Sequence, residues 1–254
     1  MTIFVSDTHF GRSPGDEDRA SEFDLISCLD RARPSLDALY LVGDIFEHYV
    51  EYRHVVPKGF VRFQAFLAEL TDGGIPVKYI VGNHDPWHRD YFGKELGIQT
   101  IQDHTIDSLH GFTVFVAHGD GMGPDAGVYR LLKPVLRHSV PVSLYRGVLP
   151  ADLGMGIAKW YSRLFRSESI NERRKASLRR AAMDLLAENP YDLVVLGHSH
   201  VPELIDVNEG TYVNCGCWYS ERTVAILDEK GPALKRWVVT SLVDCEMMGS
   251  HRMD

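Results

Sequence analysis

The fold of this chain is indicated by the stretch Ile3-Phe4-Val5-Ser6-Asp7-Thr8-His9, where a short apolar run ends in a carboxylate and an imidazole. Such a run, bounded by polar residues, is typical of a buried β-strand. The carboxylate and the imidazole are a candidate metal-binding or catalytic pair, and they lie at the end of the predicted strand. The same arrangement recurs further along the chain.

Four more polar clusters stand where apolar runs end. They are Gly43-Asp44 after 38–42, Gly82-Asn83-His84-Asp85 after 77–81, His118-Gly119-Asp120 after 113–117, and Gly197-His198-Ser199-His200 after 192–196. The carboxyl ends of parallel strands meet at one edge of a sheet, where open α/β folds place their sites. We therefore expect seven side chains to converge at that edge: Asp7, His9, Asp44, Asn83, His118, His198 and His200.

The pattern between and after these clusters predicts an α/β fold. Helical spacing of apolar residues over 21–31 and 58–70 alternates with the strands, which favours βαβ units around a largely parallel sheet. Near the C-terminal end, Asn208-Glu209-Gly210 and Asp228-Glu229-Lys230-Gly231 each separate two strand-like runs and predict antiparallel hairpins. We expect one domain over residues 1–240 and a loose tail over 244–254.

The segment 127–189 differs from the rest of the chain. It lacks strand-like runs and shows several helical patterns interrupted by proline and glycine. Between Arg130 and Arg180, twelve basic residues accompany three acidic ones. We expect this segment to form a basic, helical insertion or cap within the domain.

Composition excludes several classes of protein. The net charge of −8 argues against general nucleic-acid binding, which depends on excess positive charge. The four cysteines show neither zinc-finger spacing nor a disulfide framework, which favours reduced, buried thiols. The chain opens without a signal-peptide pattern, and no apolar run is long enough to span a bilayer. We expect a cytoplasmic protein; its oligomeric state stays open.

The seven predicted ligands offer oxygen and nitrogen donors and no thiolate. This donor set suits Mn²⁺, and Fe²⁺ or Zn²⁺ are alternatives. Seven groups can hold two ions, with one carboxylate shared between them. Two ions about 3.5–4 Å apart serve in-line displacement at phosphorus, because one activates water and both neutralise phosphoryl oxygens. The residues therefore predict a two-metal phosphoesterase.

Taken together, the five motifs resemble the signature of the calcineurin-like metallophosphoesterase superfamily over about residues 1–238. The resemblance implies a four-layer sandwich of two mixed β-sheets flanked by helices. It also implies one metal held by Asp7, His9, Asp44 and His200, and a second held by Asp44, Asn83, His118 and His198. By the same resemblance, the non-ligand His84 stabilises the transition state or protonates the leaving group, and Asp85 orients it.

Further details resemble one family within it, the UDP-2,3-diacylglucosamine diphosphatases of lipid A biosynthesis. They include the motif Ser6-Asp7-Thr8-His9-Phe10-Gly11, the run Gly43-Asp44-Ile45-Phe46-Glu47, and Pro124-Asp125-Ala126-Gly127 ahead of a helical insertion. The resemblance implies hydrolysis of UDP-2,3-diacylglucosamine to UMP and 2,3-diacylglucosamine 1-phosphate. The implied substrate contacts are Asn83, His84, Asp125, Ser167, Asn171, Arg174 and His198, with Lys175 as an alternative to Arg174.

The predicted insertion suits such a substrate. A diphosphate that carries two acyl chains needs cations beside an apolar groove, and the segment mixes both kinds of residue. Amphipathic helices with Lys and Arg on one face also bind anionic membrane surfaces. We therefore expect peripheral contact with the cytoplasmic face of the inner membrane. The alternative is a cap packed on the sheet with a solvated basic face.

Two departures keep other functions open. This chain has Glu47 where the family often has Asp, and His84 where its best-studied branch has Arg. One alternative is therefore a metallophosphoesterase of other specificity, either a phosphodiesterase or a phosphomonoesterase. A phosphoprotein phosphatase is disfavoured because Gly43-Asp44 continues without the usual Arg-Gly. A less favoured alternative is a non-catalytic binding scaffold, but none of the predicted ligands is missing.

Overall fold

The chain folds into two β-sheets that pack face to face. The computed structural model describes residues 1–13, 15–164, 172–207, 210–238 and 241–245. The first sheet has seven strands in the order β12-β11-β10-β1-β2-β3-β4, and the second has five in the order β5-β6-β7-β9-β8. Both sheets are mixed, because each combines parallel and antiparallel neighbours.

The strands of the first sheet come from both ends of the chain. Its parallel part holds β1 (Thr2–Val5), β2 (Ala38–Val42), β3 (Val77–Ile80) and β4 (Gln99–Ile101). Its antiparallel part holds β10 (Thr223–Asp228), β11 (Gly231–Val238) and β12 (Ser241–Asp244). The junction is β1, which pairs parallel with β2 and antiparallel with β10.

The second sheet is built from the middle of the chain. It holds β5 (His104–Leu109), β6 (Phe112–Ala117), β7 (Leu193–Leu196), β8 (Pro202–Val207) and β9 (Gly210–Cys215). The central strand β7 runs parallel to both β6 and β9. It is buried throughout, as a strand covered on both faces must be.

Eight α-helices are present in the described residues. They are α1 (Gly15–Ala32), α2 (Val61–Asp72), α3 (Tyr91–Leu96), α4 (Gly127–Arg137), α5 (Ser139–Val148), α6 (Ala151–Leu164), α7 (Glu172–Glu188) and α8 (Trp218–Glu221). None of these described helices is long and apolar enough to cross a membrane.

Three apolar clusters define four layers. One lies between the sheets and includes Phe4, Val116 and Val195. A second lies between the first sheet and helices α1 and α2, and a third between the second sheet and α7. The order is therefore helix, sheet, sheet, helix, which confirms the predicted four-layer α/β sandwich with two mixed sheets.

The structure corrects the expectation that all five motifs lie at one edge of one sheet. Three of them follow β1, β2 and β3 of the first sheet, and two follow β6 and β7 of the second. They still meet because the two sheets pack face to face with these strand ends on the same side. The pattern of apolar runs reveals strands, but it does not show how strands are divided between sheets.

The apolar pattern of the sequence did not predict three short or exposed strands, β4, β5 and β12. Strands β4 and β5 are marginally apolar, and β5 alternates between exposed and half-buried positions. Strand β12 lies beyond residue 240 and pairs with β11, so the first sheet continues past the predicted end of the domain. Asp244 belongs to this strand rather than to a loose tail, and residues 246–254 lie outside the described residues.

Candidate metal centre

Three side chains form the first group of the centre. Asp7 and His9 follow β1, and His200 follows β7. Their facing atoms are close: His9 Nε2 and His200 Nε2 lie 3.1 Å apart, and Asp7 Oδ1 lies 3.1 Å from His200 Nε2 and 3.5 Å from His9 Nε2. Three donor atoms from two loops thus surround one point, which a cation fits.

The second group contains Asp44, His118 and His198, with ligand atoms within 4.8 Å of one another. Asp44 Oδ2 lies 3.3 Å from His118 Nε2. The other ring nitrogen of His118, Nδ1, lies 2.8 Å from the carbonyl oxygen of Val42. That bond places the proton on Nδ1 in the neutral ring and leaves Nε2 to act as a ligand.

Asp44 lies between the two groups. Its carboxylate also lies within reach of His9 and His84, so one side chain belongs to both halves of the centre. Asp44 Oδ1 accepts a hydrogen bond of 2.8 Å from the backbone N–H of His84. This is the position that a bridging carboxylate would occupy.

Unpartnered buried atoms test whether the site fits metal ions. Asp7 Oδ1, Asn83 Oδ1 and His118 Nε2 are buried without a hydrogen-bond partner. The other oxygen of Asp7 accepts from Ser6 Oγ at 2.6 Å and from His198 N at 2.9 Å. Buried polar atoms left without partners are costly. The residues therefore fit divalent cations, which would satisfy these three atoms.

The backbone at the centre is strained. Asp7, His9, Asp44, His198 and His200 all have φ between 46° and 65°. Non-glycine residues seldom adopt this left-handed conformation, and each instance costs on the order of 1–3 kcal/mol. Such strain persists where surrounding structure enforces it, and here it turns five predicted ligands towards one another.

Two glycines allow the loops to touch. A Cβ on Gly82 would lie 2.1 Å from Asp44 Oδ1 and 2.4 Å from Asp44 N. A Cβ on Gly43, whose φ is 81°, would lie 2.5 Å from His118 Nδ1. Each glycine thus makes room for the ligand of another motif. This explains why glycine precedes the ligand in these motifs, a reason that the sequence alone does not show.

Asp85 does not have the expected role. Its two oxygens accept hydrogen bonds from the backbone N–H groups of Asp44, Ile45, Phe46 and Gly82 and from Tyr79 Oη. The expectation that Asp85 orients His84 is therefore corrected: Asp85 joins the turn after β2 to the turn after β3. Its carboxylate is drawn inward because four N–H groups in these turns need an acceptor.

The ring of His84 is held by Glu47 instead. His84 Nδ1 lies 3.1 Å from the Glu47 carbonyl oxygen, and the Glu47 carboxylate lies 2.9 Å from His9 Nδ1. One residue thus orients a predicted ligand through its side chain and a predicted catalytic residue through its backbone. Glu47, which stands where the family often has Asp, thus supports two residues of the centre without being one of the seven predicted ligands.

Two further supporting residues were missed. The single hydroxyl proton of Ser6 is within reach of two acceptors, the Asp7 carboxylate at 2.6 Å and the carbonyl oxygen of Val42 at 2.8 Å. Asn214, buried at the end of β9, donates to the Gly197 carbonyl oxygen at 2.8 Å. A polar residue at the end of an apolar strand was the available signal for Asn214, since the five motifs share it.

Opposed charges set the protonation of the metal-free centre. Burial opposes charge on His118, but the carboxylate of Asp44 outweighs it and raises the pKa of His118 to about 10. Burial also opposes charge on His9, whose pKa Asp7 and Glu47 nevertheless raise well above its ordinary value. Burial, His118 and Arg174 lower the pKa of His198 to about 3. The rings of His9 and His118 are therefore positively charged at neutral pH when no metal is bound.

The structure brings six of the seven predicted ligands into the two groups, and the seventh, Asn83, has its Oδ1 buried without a hydrogen-bond partner. The structure does not describe all predicted substrate contacts. Ser167 and Asn171 lie outside the described residues, as does the side chain of Asp125, whose backbone is in a short 3-10 helix. Arg174 lies in the first turn of α7, near enough to His198 to affect its pKa.

The basic residues of the helical segment 127–189 fall into separate groups. Several face inward and are already paired: Arg137 with Asp120, Lys133 with Asp103 and Asp120, and Arg179 and Lys175 with Glu203. Arg146 donates to the carbonyl oxygens of Trp87 and His88. These cations attach the helices to the sandwich, so the segment is not one uniform basic surface.

Comparison with known proteins agrees with this geometry. A family model described as calcineurin-like phosphoesterase matches residues 2–202. The chain belongs to the calcineurin-like phosphoesterase family. Members of this metallophosphoesterase family are hydrolases that use divalent metal ions, which agrees with the clusters of ligand atoms described above.

Relatives within the calcineurin-like phosphoesterases cover nearly the whole chain. A UDP-2,3-diacylglucosamine hydrolase from Porphyromonas gingivalis is 31% identical over 248 residues, 89% of this chain and 93% of the relative. One of the same name from Aeromonas salmonicida is 26% identical over 260 residues, 100% of this chain and 98% of the relative. The phosphoesterase Yfce from E. coli has the same fold, with a TM-score of 0.51, 16% identity and coverage of 95% of this chain and 96% of that one.

A methyl group at Gly82 should disrupt the centre. Gly82→Ala would place Cβ against the backbone nitrogen and the carboxylate of Asp44, and we expect Mn²⁺ affinity to fall at least about tenfold. Isothermal titration of the metal-free protein measures this. Gly15→Ala is the control, because no atom lies within 4 Å of the added Cβ. Wild-type affinity in Gly82→Ala would contradict the prediction.

Metal binding should release protons. The raised pKa values of His9 and His118 mean that both rings must lose a proton to bind a metal, so affinity should rise with pH. We expect release of up to about two protons near pH 7 when Mn²⁺ fills the centre. Titration calorimetry in buffers of different ionisation enthalpy measures the number. A proton release of zero would show that these rings are neutral before the metal binds.

Proposed function

We propose that this chain hydrolyses UDP-2,3-diacylglucosamine to UMP and 2,3-diacylglucosamine 1-phosphate. The observation that carries the proposal is an apolar helical face attached to the loops of the metal centre. The names of relatives that cover about nine-tenths of the chain or more point to the same substrate. In the reaction, the oxygen of water bonds to one phosphorus and the bond between that phosphorus and the bridging oxygen breaks.

The apolar face lies on α4, α5 and α6. Nine of the fifteen large hydrophobic side chains that are exposed in the described residues belong to these three helices. They are Leu131, Leu132, Val135, Val140, Leu144, Val148, Leu153, Ile157 and Trp160. Exposed apolar surface concentrated in this way is typical of a site for a ligand, a partner or a membrane. Two acyl chains would bury it.

Polar contacts hold this face beside the reacting centre. Trp87 Nε1 donates to the carbonyl oxygen of Leu136 at 2.8 Å, and Arg146 donates to the carbonyl oxygen of Trp87 at 2.7 Å. Trp87 follows His84 by three residues, so α4 and α5 rest on the loop that carries the predicted catalytic residue. A substrate with its diphosphate at the centre would therefore have its acyl chains close to these helices.

The metal-site residues divide the chemical work. Two divalent ions bound by Asp7, His9, Asp44, Asn83, His118, His198 and His200 would activate water and neutralise the phosphoryl oxygens. His84 Nδ1–H donates to the carbonyl oxygen of Glu47, so Nε2 is the nitrogen that can serve the leaving group or a phosphoryl oxygen. Arg174 places a positive charge near His198, where it would attract a phosphoryl group.

The donor chemistry favours Mn²⁺, with Fe²⁺ and Zn²⁺ as alternatives. Imidazole and carboxylate ligands suit all three ions, and none of the predicted ligands is a thiolate. Cys217 lies nearby, but its thiol donates to the carbonyl oxygen of Asp7 at 3.2 Å. Burial raises the pKa of this thiol, which opposes the thiolate form that a metal would require.

We further propose that residues 127–189 are a lid inserted into one domain and that the lid contacts the inner membrane surface from the cytoplasm. A substrate with two acyl chains resides in a membrane. The exposed apolar side chains of α4–α6 stand near Arg130 and Lys159, which are also exposed. Apolar and basic residues together are the combination that binds an anionic bilayer peripherally.

Product analysis tests the proposed function. We expect the Mn²⁺-loaded protein to release UMP from UDP-2,3-diacylglucosamine, and Asp44→Ala or His118→Ala to lower the rate at least about thousandfold, because each removes a ligand. Mass spectrometry identifies the products. Hydrolysis of bis(p-nitrophenyl) phosphate without UMP release would instead favour a phosphoesterase of other specificity, and full activity in either variant would exclude the two-metal assignment.

Polar residues on the apolar face should separate the two kinds of substrate. Leu144→Gln with Trp160→Gln should raise KM for the acylated substrate at least about tenfold, because about 2 kcal/mol of apolar contact is lost per side chain. Hydrolysis of bis(p-nitrophenyl) phosphate should stay unchanged. The control is Phe23→Gln, an exposed apolar residue on α1. Equal losses on both substrates would mean that the face is structural.

A further inference from the structure

Arg137, the last residue of α4, is buried against the loops of the metal centre. Its side chain is 9% exposed. Nη2 lies 2.8 Å from Asp120 Oδ2 and 3.0 Å from the carbonyl oxygen of Gly82, and Nη1 donates to the carbonyl oxygen of Gln102. One guanidinium therefore contacts three separate loops.

Two of those loops carry predicted ligands of the same metal. Gly82 immediately precedes Asn83, and Asp120 follows His118 by two residues. The first loop extends from the first sheet and the second from the other sheet. The guanidinium thus joins the two sheets on the side of the centre where Asn83 and His118 lie.

The neighbouring cation on the same helix does not make this bridge. Lys133, one turn earlier, lies 3.4 Å from Asp120 Oδ1, and it donates to the Asp120 carbonyl oxygen and to Asp103 Oδ1, each at 2.8 Å. It shares the carboxylate with Arg137, but its hydrogen bonds go to Asp120 and Asp103 and not to the Gly82 loop. Mutation of Lys133 therefore removes a positive charge beside Asp120 without breaking the connection between the loops. Mutation of Arg137 removes both.

We propose that Arg137 is a positioning residue of the metal centre: by joining Gly82 to Asp120 it sets the distance between Asn83 and His118. The inference rests on the proposed two-metal function and adds a residue outside the predicted ligands. It also means that docking of α4 and formation of the metal site depend on each other, since one side chain serves both. Guanidinium suits this task because its fork serves several acceptors at fixed angles, which an ammonium group does not.

The test compares Arg137→Met with Lys133→Met in the full chain. We expect Arg137→Met to lower the affinity for one of the two Mn²⁺ ions at least about tenfold and to leave the affinity for the other within about twofold of the wild-type value. The kcat for bis(p-nitrophenyl) phosphate should fall at least about tenfold while KM stays within about twofold. Lys133→Met should keep both Mn²⁺ affinities. Calorimetry and the electron paramagnetic resonance signal of the coupled Mn²⁺ pair measure binding without relying on activity.

Further variants separate positioning from folding. Arg137→Lys keeps the charge but not the fork, so it should restore the melting temperature of the metal-free protein without restoring the weakened Mn²⁺ affinity. Asp120→Asn weakens the same bridge from the other side and should reproduce the loss. In the double variant with Arg137→Met the two losses should not add, because both remove one connection. Asp120→Asn decides the question if Arg137→Met does not fold.

Three results would overturn the inference. They are wild-type binding of both Mn²⁺ ions in Arg137→Met, an equal loss in Lys133→Met, and full recovery of affinity in Arg137→Lys. A wild-type protein that binds fewer than two Mn²⁺ ions would overturn the two-metal centre and this inference together. A wild-type protein that cleaves the chromogenic ester but not UDP-2,3-diacylglucosamine would overturn the proposed substrate and leave Arg137 to be judged by its own variants.

Discussion

The Asp44 carboxylate organises the rest of the centre, because the predicted ligands from both sheets approach it. One of its oxygens accepts the His84 N–H, and the other faces His118 Nε2. Gly82 leaves room for it, and Asp85 holds the turn that carries it through the backbone N–H groups of that turn. The left-handed backbone at Asp44 is maintained by these contacts, and a strained conformation needs such enforcement to persist.

Because the ligands lie so close together, the metal-free centre holds two buried negative charges that protonated histidines must balance. Asp7 and Asp44 are buried carboxylates, and their pKa values are lowered although burial by itself would raise them. The opposing effect comes from His200, His118 and other imidazoles of the centre. Buried charges require partners, and the protonated rings of His9 and His118 provide them in the metal-free protein. Metal binding to this arrangement would therefore displace protons from the histidine rings.

The helical segment 127–189 is attached to this centre by polar contacts while its apolar face points outward. Inward-facing Arg137 and Arg146 bond backbone carbonyl groups of the loop after β3. The exposed side chains Leu131 and Trp160 are 76% and 62% accessible. Helices that served only as a cap on the sheet would be expected to bury such residues. The segment thus joins two tasks, support of the loop that carries Asn83 and His84 and presentation of an apolar surface.

Local sequence patterns were enough to predict the strands that end in polar motifs, the seven candidate ligands, the alternation of strands and helices, and the family. These features are local, since an apolar run and the polar residues that end it are adjacent in the chain. Tertiary structure alone decided the division of the motifs between two sheets, the inward turn of Asp85, the pairing of Glu47 with His9 and the bridge made by Arg137. Gly82 and Asp44, or Arg137 and Gly82, are distant in sequence and meet only once the sheets have packed. Their chemistry is set by contacts that no local pattern records.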